Sequence, residues 1–271
     1  MLVAIHQTCQ MPPSSIRKMP IPALRLPRYV LHVTAYVFAS VLLAAWLCPV
    51  RADEPARPID TDTMTKRATP CMACHGKEGR AASDGYYPRI AGKPVGYLYN
   101  QLMNFKEGRR RQYPLMIYMV QHLSDDYLRE FAAYFADQHP PYPAPQASNQ
   151  PPQVIERGRA LVLSGDSAKN IPACVACHGD KLTGVSPSIP GLLGLPRDYI
   201  NGEFGAWRSG TRHAAAPDCM AEITQRLSVE EISAVSSWLS SQPIPPDATP
   251  APSTAVKLPI ACGSFAQKEG S

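Results

Sequence analysis

The apolar residues of this chain recur at helical spacing through its central and C-terminal parts. Two segments begin after a serine, at Ser124 and Ser228, and carry hydrophobic side chains three or four positions apart. Each serine is a typical helix N-cap, and acidic residues follow it in the first turn, where they favour the helix dipole. Prolines in a first-turn position predict two further helices over residues 94–106 and 196–208, and another is expected over 152–163. No strand pattern of any length is present, so we predict an all-α protein.

The helical pattern occurs twice along the chain. The segment that begins at Pro88 aligns without gaps on the segment that begins at Pro190, and the two copies stay between 102 and 104 residues apart. The repeat pairs Phe105 with Trp207, Gly108 with Gly210, Arg110 with Arg212, Met116 with Met220, and Tyr134 with Trp238. Self-similarity at a fixed period predicts two copies of one structural unit in tandem.

Proline-rich stretches mark the limits of the two copies. Residues 139–152 contain many prolines, which cannot continue a helix and favour an extended linker. A second proline-rich stretch begins at Pro243, and its composition is typical of disorder unless Cys262 ties it down. We therefore predict a leader over 1–52, a first domain over 53–138, the linker over 139–152, a second domain over 153–242 and a tail over 243–271.

The first 52 residues are typical of a secretory leader. Residues 1–28 carry basic side chains and no acidic one, an apolar run follows over 29–50, and Val50 and Ala52 occupy the positions that precede a cleavage site. Cleavage after Ala52 would leave the mature chain in the periplasm. An uncleaved membrane anchor is the alternative, because an apolar run of this length can also span a bilayer.

The charge balance argues against one class of partner. The formal net charge is +5, but the leader contains five basic residues and no acidic residue, so the rest of the chain balances 22 basic against 22 acidic residues. A nucleic-acid-binding domain normally carries a basic excess on one face. We therefore expect no nucleic-acid partner.

Two Cys-x-x-Cys-His motifs supply the candidate chemistry. They comprise Cys71, Cys74 and His75 in the first copy and Cys174, Cys177 and His178 in the second. This spacing is the attachment signature of c-type haem, in which the thiols become thioethers on the haem and the histidine becomes the proximal iron ligand. We predict two covalently attached haem c groups. Two other interpretations of the Cys pairs are less favoured. A thioredoxin-like redox motif would lie in a βαβ unit, which the sequence does not predict here. A zinc site with four Cys ligands would require the two pairs, about a hundred residues apart, to converge.

Over about residues 65–242 the chain resembles the dihaem class I c-type cytochromes, cytochrome c4 and its relatives. The shared features are the Cys-x-x-Cys-His-Gly motifs, the Pro-x-Ile/Leu-x-Gly segments, the Tyr…Phe/Trp…Gly-x-Arg helices, and a methionine seven residues before each Leu-Ser pair. The resemblance implies two tandem cytochrome c domains of the class I fold that face each other, His/Met ligation of both irons, and periplasmic electron transfer. It also implies that Pro88 and Pro190 offer their carbonyls to Nδ1 of the proximal histidines.

The repeat selects between the candidates for the sixth ligand that the resemblance implies. Met116 aligns with Met220, which predicts that these two residues complete the coordination begun by the histidines. Met119 aligns with Ile223, so it is expected in the core. A thioether is a soft ligand that raises the haem potential, and it closes the sixth position to substrates.

The remaining cysteines and several polar residues have two interpretations each. Cys219 and Cys262 form an even pair in an exported chain, which favours a disulfide; a Cys219 thiolate in place of the second methionine is the alternative. His122 and His213 are expected at the surface, although His213 precedes the second methionine and is an outside candidate for a distal role. Three consecutive arginines at 109–111 are either solvated or in contact with haem propionates or a partner.

These expectations favour an electron carrier without substrate chemistry. It would take electrons from a periplasmic dehydrogenase or a quinol-oxidising complex and pass them to a terminal oxidase or another cytochrome. It would contact a membrane only through such partners or an uncleaved leader. The alternative is a dihaem enzyme, either a peroxidase or a sulfur-compound dehydrogenase, which needs an open or switchable axial position on one iron.

Overall fold

The computed structural model describes residues 63–81 and 85–265, all within the unit Thr61–Ser271. The predicted leader and its cleavage site lie outside the described residues. Among the residues that are described, no helix is long and apolar enough to cross a membrane.

Helices dominate both copies of the repeat. The first copy contains α1 (Met64–Arg67), α2 (Thr69–His75), α3 (Val95–Lys106), α4 (Pro114–Val120) and α5 (Asp125–Ala136). The second copy contains α6 (Pro152–Ser164), α7 (Val175–His178), α8 (Arg197–Arg208), α9 (Cys219–Arg226) and α10 (Val229–Ser241). Short 3-10 helices cover Lys77–Gly79, Ser167–Lys169 and Ser253–Ala255. Strands β1 (Gly184–Val185) and β2 (Ile189–Pro190) pair antiparallel, with Gly184 opposite Pro190. Two residues per strand are too few to leave an alternating pattern in the sequence.

The predicted helix starts are mostly confirmed. The Ser124 hydroxyl accepts a hydrogen bond from the Tyr127 N–H at 3.2 Å. The Ser228 hydroxyl accepts one from the Glu231 N–H at 3.2 Å, and the Glu231 carboxylate accepts the Ser228 N–H in return at 2.9 Å, which completes a capping box. Pro94 and Pro196 precede their helices as N-caps instead of occupying the first turn, because an N-cap keeps an extended ψ (135° and 144°) that proline readily adopts.

The hydrophobic clusters of the described residues stay within one copy or the other. In the second copy, Leu161 and Val162 of α6 pack against Val235 and Leu239 of α10, and all four are almost completely buried. The first copy has two clusters, built around Phe131 and Phe135 and around Phe105 and Leu128. The copies also meet closely outside these clusters, because a Cβ added at Gly96 would lie 2.7 Å from the Pro187 carbonyl oxygen.

The proline-rich tail is packed against the second copy. Ala251 forms a parallel bridge with Val185 of β1: the Ala251 N–H donates to Gly184 at 2.9 Å, and its carbonyl accepts the Ser186 N–H at 2.8 Å. Phe265 is buried against Val185 and Ile189. Composition alone would predict disorder, but these contacts and the Cys262 link hold residues 243–265 in place.

The closest approach of α6 and α10 generates a stability prediction. A Cβ added at Gly158 would lie 2.2 Å from the Ala234 carbonyl oxygen, so Gly158→Ala must push the helices apart. We expect a loss of about 1–3 kcal/mol in the free energy of unfolding. Chemical denaturation of the haem-loaded protein, followed by circular dichroism, measures this loss.

Gly205→Ala is the matched control for that substitution. Gly205 also lies inside a helix, but nothing lies within 4 Å of an added Cβ there. Alanine is favoured over glycine in helices by about 1 kcal/mol, so this variant should be as stable as the wild type or slightly more stable. Equal effects of the two substitutions would contradict the packing argument.

Candidate haem sites

The two Cys-x-x-Cys-His motifs lie on short helices that end at the histidine. Cys71 and Cys74 belong to α2, whereas Cys174 is the N-cap of α7 and Cys177 lies within it. One helical turn therefore places both thiols of a motif beside its histidine. The four cysteines are unpaired and half-buried, as thioether formation requires.

The chain turns sharply after each histidine at a glycine with positive φ. Gly76 has a φ of 74°, and an added Cβ there would lie 2.4 Å from the Ala81 carbonyl oxygen. Gly179 occupies the same position in the second motif with a φ of 82°. Only glycine adopts this conformation without strain, so the glycine that follows each motif is part of the site.

Each proximal histidine is oriented by a proline carbonyl. Nδ1 of His75 lies 2.9 Å from the Pro88 oxygen, and Nδ1 of His178 lies 2.7 Å from the Pro190 oxygen. A carbonyl can only accept, so Nδ1 carries the proton and Nε2 keeps its lone pair for a metal. Burial lowers the pKa of both imidazoles, which favours the neutral form that ligation requires.

One continuous cavity of about 590 Å³ extends through both copies. Its walls are mostly apolar, and they include both histidines, all four motif cysteines, Met116 and Met220. Thiols, imidazoles and thioethers, one set from each copy, therefore line the same cavity. The donor set and the apolar walls fit two c-type haems.

The candidate distal methionines occupy equivalent helices on the cavity wall. Met116 of α4 packs against the cluster that contains Phe105 and Leu128, and Met220 of α9 packs against the core of the second copy. The expectation that Met119 lies in the core is wrong. Met119 is 38% exposed at the edge of the cavity, because α4 turns this face towards solvent.

The predicted disulfide between Cys219 and Cys262 is confirmed. It joins the first residue of α9 to the tail, beside a hydrogen bond from the Gly263 N–H to the Pro217 carbonyl at 2.9 Å. Cys219 is thus not available as a thiolate ligand. Leu258 and Ile260 of the tail line the cavity, a role for which the sequence contained no signal apart from the position of Cys262.

The arginine run at 109–111 is divided between surface and interior. Arg110 is almost fully buried between the copies, where its guanidinium contacts Glu203 at 2.5 Å. Arg111 is exposed and donates to the Gly210 carbonyl at 3.1 Å. Sequence reasoning missed Glu203, which sits 93 positions away from its partner and has only a helical context of its own.

A second buried cation reaches from the first copy towards the second haem site. The Lys93 ammonium donates to the Gly191 carbonyl at 2.8 Å, directly beside the Pro190 carbonyl that orients His178. Burial and the neighbouring Arg89 lower the pKa of Lys93 to about 7. The sequence does not distinguish this lysine from a surface lysine.

The lone histidines lie at the surface, as expected. His122 and His213 are both exposed. His213 Nε2 lies 2.9 Å from the Gly210 carbonyl, and its side chain is not part of the cavity wall. A distal role for His213 therefore has no support.

Comparison with known proteins assigns these features to one family. The chain is 34% identical over 192 residues to a thiosulfate dehydrogenase electron acceptor from Thiomonas intermedia, a match that covers 70% of this chain and 87% of the relative. It is 32% identical over 183 residues to cytochrome c4 from Azotobacter vinelandii, with 64% and 84% coverage. No family model matches the chain.

Two solved structures have the same fold. Reduced cytochrome c4 from Pseudomonas stutzeri matches 65% of this chain and 95% of its own length, with 28% identity and a TM-score of 0.57. Thiosulfate dehydrogenase (TsdBA) from Marichromatium purpuratum matches 64% of this chain and 36% of its own length, with 29% identity and a TM-score of 0.58.

The fold and the two haem motifs define a tandem class I c-type cytochrome. Together with these relatives, they show that the chain belongs to the cytochrome c4 family of dihaem cytochromes. It carries two covalently attached haem c groups and functions in electron transfer. Family membership excludes the thioredoxin-like and zinc interpretations of the Cys pairs.

Removal of the disulfide should destabilise the second copy. The link closes a loop with a sequence separation of 43 residues, and the loss of such a constraint costs about 3–4 kcal/mol, less any strain. We therefore expect the double variant Cys219→Ser, Cys262→Ser to unfold at a clearly lower denaturant concentration.

The single variant Ser241→Ala serves as a control. It removes a hydroxyl that donates to the Trp238 carbonyl and accepts from the Gln242 side chain, both local contacts that do not involve the disulfide. Equal midpoints for the double variant and the wild type would show that the tail contacts suffice without the link.

Proposed function

We propose that this protein is an exported, periplasmic electron carrier that accepts electrons from a thiosulfate dehydrogenase or a related sulfur-compound dehydrogenase. It would pass them to a terminal oxidase or another cytochrome and have no substrate chemistry of its own. The observation that carries the proposal is the equivalent placement of Met116 and Met220 on the cavity wall, because a thioether at both irons closes both sites to substrates.

The names of the relatives support the choice of donor. Two relatives, from Thiomonas intermedia and Stutzerimonas stutzeri, are thiosulfate dehydrogenase electron acceptors, each 34% identical to this chain. A structural neighbour is itself a thiosulfate dehydrogenase. The quinol-oxidising complex that the sequence also suggested has no comparable support.

The proposed iron ligands are His75 with Met116 and His178 with Met220. Cys71, Cys74, Cys174 and Cys177 would form the thioethers, and Pro88 and Pro190 would orient the histidines through the hydrogen bonds to Nδ1. Bound haem supplies an iron that changes its oxidation state by one electron. The surrounding residues hold the two ligands of each iron and exclude water, which limits the structural change that accompanies each transfer.

The enzyme alternative loses the features that favoured it. A peroxidase or a sulfur-compound dehydrogenase needs a ligand that can leave or a reactive group beside the iron. Cys219 is bonded to Cys262, and His213 is exposed and directed at a backbone carbonyl. Neither residue supplies such a group.

Export and the domain limits are part of the same proposal. A disulfide and covalent haem attachment are typical of an oxidising compartment outside the cytoplasm. This supports an export leader over 1–52. The proposed limits that follow it are domains over 53–138 and 153–242, the linker over 139–152 and the tail over 243–271.

The two copies cover the cavity differently, and this difference favours electron exchange through the first domain. Tail residues Leu258 and Ile260 line the cavity in the second copy, where the disulfide holds the tail in place. In the first copy, Leu115 is 53% exposed at the cavity edge and Tyr118 of the same helix is 71% exposed. We propose that the dehydrogenase docks on this apolar face of α4.

The ligand assignment predicts which methionines affect the haem spectrum. Met116→Ala should abolish one of two methionine-to-iron charge-transfer bands of the oxidised protein, and Met220→Ala should abolish the other. Met119→Ala is the control and should leave both bands intact, although Met119 also lines the cavity. Loss of a band in Met119→Ala, with Met116→Ala unaffected, would show that the repeat alignment selects the wrong residue.

The carrier function predicts a reaction with a purified thiosulfate dehydrogenase. Mixing the oxidised protein with this enzyme and thiosulfate should reduce both haems within a stopped-flow measurement, whereas thiosulfate alone should not. Tyr118→Ser should slow the reduction several-fold, and Val229→Ser, which removes a 63% exposed apolar residue from the second copy, should not. Failure of the enzyme to reduce the wild type would refute the proposed donor. Equal rates for both variants would refute only the proposed docking face.

A further inference from the structure

The contact between the two copies has a local two-fold symmetry. Arg110 and Arg212 face each other in an antiparallel bridge. The Arg111 N–H donates to the Thr211 carbonyl at 2.7 Å, and the His213 N–H donates to the Arg109 carbonyl at 2.7 Å. In the alignment of the repeat, Arg111 corresponds to His213 and Arg109 to Thr211. The two hydrogen bonds are therefore equivalent by the local symmetry.

The side chains around the bridge follow the same symmetry. Gln101 of α3 and Glu203 of α8 are equivalent positions in the repeat, and each accepts hydrogen bonds from both arginines. The Gln101 amide oxygen lies 3.1 Å from Arg110 Nη1 and 3.2 Å from Arg212 Nη2. The Glu203 carboxylate lies 2.5 Å from Arg110 Nη2, and its other oxygen accepts from Arg212 Nη1. We call these four residues the interface ring.

The interface ring is symmetric in position but not in charge. It contains two guanidinium groups and a single carboxylate, because the first copy places an amide where the second places an acid. The ring side chains of Arg110, Arg212 and Glu203 are only 5%, 6% and 8% exposed. Burial alone would raise the pKa of Glu203, but the two arginines lower it below its ordinary value, so the carboxylate is ionised at neutral pH.

All four members of the ring also line the cavity that holds both haem sites. A negative charge in a region of low dielectric stabilises an oxidised iron more strongly the closer the iron lies. Glu203 lies on α8 of the second copy, and Gln101 lies on the equivalent helix α3 of the first copy. The carboxylate therefore has the same position relative to one haem site as the amide has relative to the other. With glutamine at the equivalent position, the ring itself contains no second carboxylate that would balance the charge of Glu203.

We propose that the exchange of Gln101 for Glu203 across the interface makes the two haem sites electrostatically inequivalent, so that Glu203 sets part of the difference between their reduction potentials. Glu203 is therefore a tuning residue, which acts on the irons through its charge. This inference depends on the presence of both haems and does not depend on which dehydrogenase is the donor.

Because the two positions are equivalent by symmetry, the proposal can be tested without knowing the distance from the carboxylate to either iron. Four versions of the haem-loaded protein are compared by spectroelectrochemical titration: the wild type, Glu203→Gln, Gln101→Glu, and the double exchange that carries both substitutions. The double exchange moves the charge to the equivalent position and keeps the net charge. Its mean potential should equal that of the wild type, whereas its gap between the two potentials should shift.

The two single variants provide the matched controls. Glu203→Gln should raise both potentials and Gln101→Glu should lower both, because they change the ring charge in opposite directions. Each makes the ring symmetric, so their gaps should agree with each other and lie midway between those of the wild type and the double exchange. The same gap in all four proteins would overturn the proposal.

Folding is checked separately by the visible spectrum and the thermal midpoint of each variant. Glutamine already accepts from both arginines at the equivalent position 101, so Glu203→Gln keeps the shape of the ring. It removes the one carboxylate that pairs with two buried arginines, so its thermal midpoint should fall. If the double exchange does not fold, the comparison of Glu203→Gln with the wild type is the test. A changed difference between the two reduction potentials supports the proposal, and an unchanged difference refutes it. If Glu203→Gln does not fold either, the gap of Gln101→Glu against the wild type decides in the same way.

Discussion

In each copy the hydrogen bond from a histidine ring to a proline carbonyl determines how the neighbouring chain must run. At 2.9 Å and 2.7 Å, the bonds of His75 and His178 fix both the tautomer and the plane of the ring that presents Nε2 to an iron. The glycine after each histidine turns the chain, and the segment that follows it brings the proline back under the ring. A proline N-cap then starts the helix that forms the next wall of the cavity. The alignment of the repeat is strongest in this region for the same reason.

The second haem site receives more support from outside its own copy than the first. Lys93 reaches across to the Gly191 carbonyl, and the tail covers the second copy from β1 to the disulfide at α9. The first copy instead has an exposed apolar face on α4. A tandem duplication begins with two equal sites, and additions of this kind distinguish one site from the other. Such a difference between the two sites allows an electron carrier to receive electrons at one haem and donate them from the other.

The buried polar contact between the copies favours one relative arrangement of them, because its charged groups are costly to bury without their partners. Two guanidinium groups and a carboxylate in an enclosed interface are stable only when every donor finds an acceptor, and Gln101 completes the set. The arginines also stack on aromatic rings of their own copies, Arg110 over Phe105 at 4.6 Å and Arg212 over Trp207 at 3.6 Å. Loss of a single partner would leave a buried charge unpaired, which disfavours other arrangements of the two copies.

The sequence by itself determined the features that depend on short spacings. The haem motifs, the caps at Ser124 and Ser228 and the repeat register each follow from residues within one helical turn or from a direct comparison of two segments. The disulfide could be predicted because only two cysteines, Cys219 and Cys262, lie outside both the predicted leader and the haem motifs. Tertiary structure decided the rest: the exposure of Met119, the packing of the tail on β1, and the pairing of Arg110 with Glu203. Each of these depends on which surfaces meet after the copies fold, and a contact between residues 93 positions apart leaves no periodic signal in the sequence.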